Sequence, residues 1–112
     1  MATITMKLEP KPFDAIKSKK KQIELRLYDD KRKNINIGDI IEFKREPERT
    51  ISIKTRVVAL LRYENFSKLF EDFEPSIFGG NNKQELLDGV TRFYSKEKQN
   101  EYGILGIKIE LL

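Results

Sequence analysis

The stretch "TISIKTRVVALLRY", residues 50 to 63, does most to constrain what this chain can fold into. Ile51, Ile53, Thr55 and Val57 alternate with Ser52, Lys54 and Arg56, the period-two signature of a strand with one covered face. From Val58 to Leu61 the run turns apolar on both faces, as in a strand buried on both sides. One long strand, half exposed at first and buried later, needs a sheet around it. Further strands are ready to supply it. In "TITMKL", Ile4, Met6 and Leu8 oppose Thr3, Thr5 and Lys7. In "QIELRL", Ile23, Leu25 and Leu27 point inward, with Gln22, Glu24 and Arg26 on the opposite face. "IIEFK" follows the turn signal Gly38-Asp39, and "ILGIKIELL" sets Leu105, Ile107, Ile109 and Leu111 on one side.

Helical spacing appears in three places. "EPKPFDAIKSKKK" reads as a short helix with Pro12 in its first turn, Asp14 near its positive end and Lys19, Lys20 and Lys21 at its negative end. Phe13 and Ile16 are its expected buried contacts. Phe66, Leu69, Phe70 and Phe73 fall at i, i+3, i+4 and i+7, the apolar stripe of a second helix. Asn82 caps a third, with Glu85 three residues on, and Leu86, Leu87, Val90, Phe93 and Tyr94 form its stripe; Gly89 weakens it slightly. "EPSIFGGNN" reads as a loop, and "SKEKQNEYG" as a polar turn or a single helical turn. The order is strand, helix, three strands, helices, strand. With about five strands and no regular βαβ repeat, a doubly wound parallel sheet is excluded in favour of an α+β fold: a mixed, strongly curved sheet or small barrel with helices at its side. The length of 112 residues fits one domain over residues 1–112.

Composition narrows the chemistry. The chain has no cysteine and no histidine. Disulfides, thiol nucleophiles, cysteine-ligated zinc and serine–histidine catalysis are therefore out, and any metal would have to be a hard cation on carboxylates. No metal or other cofactor is expected. No apolar run reaches the length of a membrane span, so a soluble cytoplasmic protein, acting as a monomer, is the expectation. The net charge is +4, unevenly spread. Residues 1–56 hold 15 Lys/Arg against 9 Asp/Glu, net +6, whereas residues 57–112 hold 7 against 9, net −2. An excess confined to one half points to a basic face and an anionic partner.

Two motifs dissolve on inspection. Gly79-Gly80 lacks the GK[ST] ending of a phosphate loop and sits between helical stripes. The acids of "EDFE", residues 71 to 74, are the solvated face of a helix rather than a magnesium site. The lysine cluster is different. As a helix end it would gain up to about 1 kcal/mol from the dipole, and Glu24 with Arg26 as a solvent-side pair would gain little. Neither account explains why both features occur within six residues at a helix-to-strand turn.

Residues 16–27, "IKSKKKQIELRL", resemble the signature of the ASCH domain, G-x-K-x-x-E-x-R, through Lys21, Glu24 and Arg26; Lys19 stands where the pattern has glycine. The resemblance continues through "IGDIIEF", "RYENFSKLF" with Tyr63 and Phe66, and "YGILGIKI" with Tyr102 and Gly103. It implies a PUA-like barrel of about five or six strands, with helices packed beside a cleft that the signature residues line. A lysine at a glycine position also implies a strained turn if positive φ is required there.

ASCH domains are associated with RNA and modified nucleosides. The first expectation is therefore an RNA- or nucleotide-binding protein. Lys21 and Arg26 would contact phosphate, or Arg26 would grip a base edge or carboxylate in bidentate fashion; Glu24 would accept from an exocyclic amine, and Tyr63 or Tyr102 would stack on an unpaired base. The alternative is a metal-independent amidohydrolase removing an acyl group from N4 of cytidine, or a ribonuclease. In the deacylating relatives a lysine acts with a hydroxyl residue three positions later. Lys21 fits the first role, but the hydroxyl's place is taken by Glu24, whose charge opposes a neutral lysine base. A third reading, an adaptor binding protein through a strand edge, has no residue that singles it out.

Overall fold

The computed structural model describes residues 2–112. Five strands form one sheet in the order β1-β3-β4-β5-β2: β1 (Thr3–Leu8), β2 (Ile23–Leu27), β3 (Ile40–Arg45), β4 (Ser52–Tyr63) and β5 (Ile104–Leu111). β1 runs parallel to β3, and every other pairing is antiparallel. The sheet is thus mixed, as the pattern predicts, and it curls into a half-barrel whose edges are β1 and β2. A bulge between Val57 and Ala59 breaks the register of β4 against β5; an extra residue at such a point bends a strand and tightens its twist. β4 is the long strand read from the sequence. Its second half, Val58 to Leu61, is half-buried rather than covered on both faces.

The sheet has an apolar cluster on each side. Met6, Phe13, Ile41, Phe43, Leu105 and Ile107 fill the inside of the half-barrel, where helix α1 (Pro10–Lys17) brings Phe13 and Ile16. The other side is covered by α2 (Phe66–Asp72), α3 (Lys83–Thr91) and α4 (Lys96–Tyr102). There Ile23, Leu27 and Ile104 meet Phe66, Leu69, Phe70, Leu86 and Val90. Phe66 is fully enclosed, which contributes roughly 1.5–3 kcal/mol. Gly106 makes this approach possible, because a Cβ there would come 3.2 Å from both Ile23 Cγ2 and Leu69 Cδ2.

Local details follow side-chain chemistry. The Asn65 side chain accepts from Lys68 N–H and that of Asn82 from Glu85 N–H, each capping a helix. α4 is a full short helix capped by Ser95, longer than the single turn expected. Its Gln99 is buried, accepting from Phe66 N–H at 3.1 Å and donating to the Tyr94 carbonyl at 3.2 Å. Asp39, in the turn before β3, accepts from the backbone of Ala2 and Asn36, and these bonds hold its carboxyl below the usual range. The first helix is shorter than the spacing suggests. It ends at Lys17 with Ser18 as its cap, and Lys19 takes φ +68°. The left-handed turn that glycine would serve is thus made by lysine. Two expected members of the α3 stripe also fall outside that helix, since it stops at Thr91 and leaves Phe93 57% exposed.

Candidate functional site

The cross-strand register decides which way the signature residues face. Glu24 pairs with Ile107 and Arg26 with Leu105, and both partners belong to the cluster inside the half-barrel. Ile23 and Leu27 instead turn toward the helices. The face opposite Ile23, Leu25 and Leu27 is therefore not the solvent side of an exposed strand. It is the inner face of the curl, at the seam where β2 approaches β1. Glu24 is consequently only 3% exposed.

At that seam the charges form one cluster. Lys21 Nζ lies 2.9 Å from Glu24 Oε1. Arg26 reaches Glu24 Oε2 with Nε at 3.0 Å and with Nη2 at 2.8 Å. The same Nη2 donates to the Lys7 carbonyl of β1 at 3.0 Å, so the guanidinium spans the gap between the sheet's two edges. Burial alone would push the Glu24 carboxyl up, but the charges and hydrogen bonds of Lys21 and Arg26 outweigh it and hold it down at about 2. The Tyr94 hydroxyl lies beside Arg26, and burial raises its phenol above the ordinary value.

Backbone geometry fixes Lys21. Its N–H donates to the Ala15 carbonyl at 3.0 Å, it forms a bridge with Phe78, and the next residue's N–H donates to the Ile77 carbonyl at 2.8 Å. Lys19 in its left-handed turn directs the chain from α1 into this arrangement. Gly79, at φ +84°, passes so close that a Cβ would sit 3.2 Å from Lys21 Cβ.

The cluster opens onto a cleft of about 380 Å³ between the β1–α1 corner and the segment from Phe78 to Tyr94. Arg92 and Phe93 stand at its rim, with the Arg92 guanidinium 5.6 Å from the Phe93 ring centre. Sequence reasoning missed both, because it extended the helical spacing of α3 past its end. The available signal was Ser95: an N-cap for the next helix requires the preceding one to stop first.

Lys21, Glu24 and Arg26 thus come together, whereas Tyr63 and Tyr102 do not join them. β5 runs antiparallel to β2, so Leu27, Ile104 and Tyr63 form one row across three strands, at the far end of β2 from Lys21. Tyr63 and Tyr102 line a separate depression there, of about 450 Å³. Among the described residues, no group of three or more His, Cys, Asp or Glu side chains could hold a metal ion, and no helix is long and apolar enough to cross a membrane.

Among solved structures, the hypothetical protein PH0355 is 32% identical, with a TM-score of 0.86 and all of both chains covered. Protein PF0455 from Pyrococcus furiosus, solved by solution NMR, is 35% identical at a TM-score of 0.77, covering 98% of this chain and 97% of that one. A mutant of the ASCH protein from Zymomonas mobilis is 15% identical, with a TM-score of 0.69 over 96% of this chain and 67% of that one; this likeness is one of fold. No curated protein matches. The sequence model of the ASCH domain covers residues 6–112, taking in the half-barrel from Met6 of β1 onward, the ionic cluster and the cleft. By that match and the half-barrel beneath it, the chain belongs to the ASCH domain family.

Proposed function

We propose that this protein binds RNA, or a nucleotide, in the cleft at the β1–β2 seam. One observation carries the reading: the hydrogen-bond inventory of the ionic cluster. Glu24 Oε1 is engaged by Lys21 and Oε2 by two nitrogens of Arg26, so its acceptor capacity is mostly consumed inside the protein. Lys21 retains N–H donors at the cleft wall, and Arg26, whose Nε and Nη2 are engaged by Glu24 and the Lys7 carbonyl, keeps those of Nη1 beside the Tyr94 hydroxyl. A ligand must therefore bring acceptors, which means phosphate oxygens or the keto edge of a base. This assigns Glu24 a role different from reading an exocyclic amine: it holds two cations side by side.

The surroundings support the same ligand class. Lys7, Lys11, Lys21, Arg26 and Arg92 line the cleft against Glu9, Glu24 and Glu85. Phe93 offers a ring on which an unpaired base can stack, as single-strand RNA readers commonly do. The deacylating reading draws no comparable support. Glu24 occupies the position of the hydroxyl, and its carboxylate engages the Lys21 ammonium.

The test is a titration with uridine, guanosine, cytidine and adenosine 5′-monophosphates and short single-stranded RNA, followed by amide chemical shifts. Shifts should concentrate on Lys21 to Arg26, Gly79, Gly80 and Phe93. RNA affinity should fall by roughly 0.7 log units per log of salt for each phosphate contacted. Phe93→Ala, at an exposed position, should weaken binding roughly 5-fold or more while leaving the fold intact. Arg26→Lys should weaken it through loss of the planar fork. No binding at low salt, or binding indifferent to both variants, rejects the reading.

A further inference from the structure

The depression at the far end of β2 gathers three of the protein's four tyrosines, Tyr28, Tyr63 and Tyr102, around Arg62. The Arg62 guanidinium lies 4.0 Å from the Tyr28 ring centre. Stacking of this kind leaves the N–H edge of a guanidinium free to bind an anion. Arg62 is exposed and has no carboxylate partner among the described residues. Of the acids nearby, Glu64 pairs with Lys68 at 2.8 Å, Asp29 with Arg32 at 2.8 Å and Asp72 with the Tyr63 hydroxyl, while Glu101 faces the Tyr102 hydroxyl and, with Asp30, raises its phenol. Tyr102 stands at the rim, 41% exposed, where α4 ends and Gly103 turns the chain into β5 at φ +72°.

We propose that this depression is a second nucleotide subsite: an unpaired base stacks on Tyr102, and the phosphate beside it is held by Arg62. The inference rests on the cleft reading for its polarity, because the two places lie toward opposite ends of β2. Arg26 lines the cleft, and Tyr28, two residues further on, lines the depression, about 7 Å along the chain at the rise of an extended strand. An RNA strand whose phosphate met Arg26 would reach Arg62 and the tyrosines with its next nucleotides by passing around the Leu27 end of β2. Stacking accepts any base, so this subsite adds affinity without sequence preference.

Uridine 5′-monophosphate and a uridine tetranucleotide separate the two sites. With the tetranucleotide, the amides of Arg62, Gly103 and Ile104 should shift along with those of the cleft. Tyr102→Ala and Arg62→Gln should each weaken tetranucleotide binding by roughly 5- to 100-fold, and Tyr102→Phe, which keeps the ring, should restore it. Mononucleotide affinity, read at Glu24 and Phe93, should stay within about twofold in all three variants. Tetranucleotide shifts confined to the cleft, affinity indifferent to these substitutions, or no tetranucleotide binding overturns the subsite. If Glu24 and Phe93 never respond while Arg62 and Gly103 do, the cleft reading fails and the subsite stands alone.

Discussion

Replacing Glu24 by glutamine removes one charge, keeps the shape, and tests the buried cluster directly. In the native protein the carboxyl is held at about 2, against 4.5 for an unperturbed glutamate. Because the folded value is the lower one, the unfolded chain takes up this proton first as pH falls. The stabilisation is complete above pH 4.5 and is lost as pH falls toward 2. The interval between the two values corresponds to about 3 kcal/mol. Breaking a buried ion pair by removing one partner costs a similar amount, about 3–5 kcal/mol, because here Lys21 and Arg26 would face each other without a counter-charge. Urea unfolding of both proteins at several pH values measures the effect. At pH 7, Glu24→Gln should be less stable by about 3 kcal/mol, and at pH 3 by only about 1.5, since the native carboxylate is then losing its advantage. A difference below about 1 kcal/mol at pH 7, or one that does not shrink with acid, would refute the paired, buried carboxylate.

Three further substitutions probe the frame around the site. Lys19→Gly relieves a left-handed lysine at φ +68°; allowing for glycine's looser unfolded chain, a gain of roughly 0.5 kcal/mol in urea unfolding is expected, and a loss would mean the turn is not strained. Gly89→Ala fills open space inside α3, with no atom within 4 Å of the new Cβ; it should gain about 0.5–1 kcal/mol and raise the melting temperature by a few degrees, and an unchanged or lower melting point would contradict it. Gln99→Leu orphans the buried Phe66 N–H and the Tyr94 carbonyl; a cost of about 1–3 kcal/mol should appear in the same assay, and a neutral result would place water there instead.

Periodicity made the strands legible, because alternation reports which face is covered, and the strand-rich order excluded a regular parallel sheet. It could not report what covers the other face. The pattern of "QIELRL" looks identical whether Glu24 and Arg26 meet water or the inside of a curl, and only the pairing with Leu105 and Ile107 decides. The signature spacing made the meeting of Lys21, Glu24 and Arg26 legible, since all three lie within one turn and one strand. Tyr63 and Tyr102 depended on strand direction, a non-local property with no local trace in the chain. Phe93 was lost for the opposite reason: helical spacing persisted by chance beyond Thr91, where the backbone had already left the helix.

The reach of Arg26 to the Lys7 carbonyl bears on how the molecule behaves at high concentration. A half-barrel has two outer strands whose unpaired backbone groups are templates for another chain. Here the beginning of β2 is occupied by the bridge from Lys21 to Phe78 and the bond from Gln22 to Ile77, while β1 has an outward carbonyl covered by a guanidinium from its own neighbour. The residue that lines the cleft also blunts a sticky edge. An anion that drew the guanidinium away would uncover that carbonyl and leave this stretch of the β1 edge without its cover.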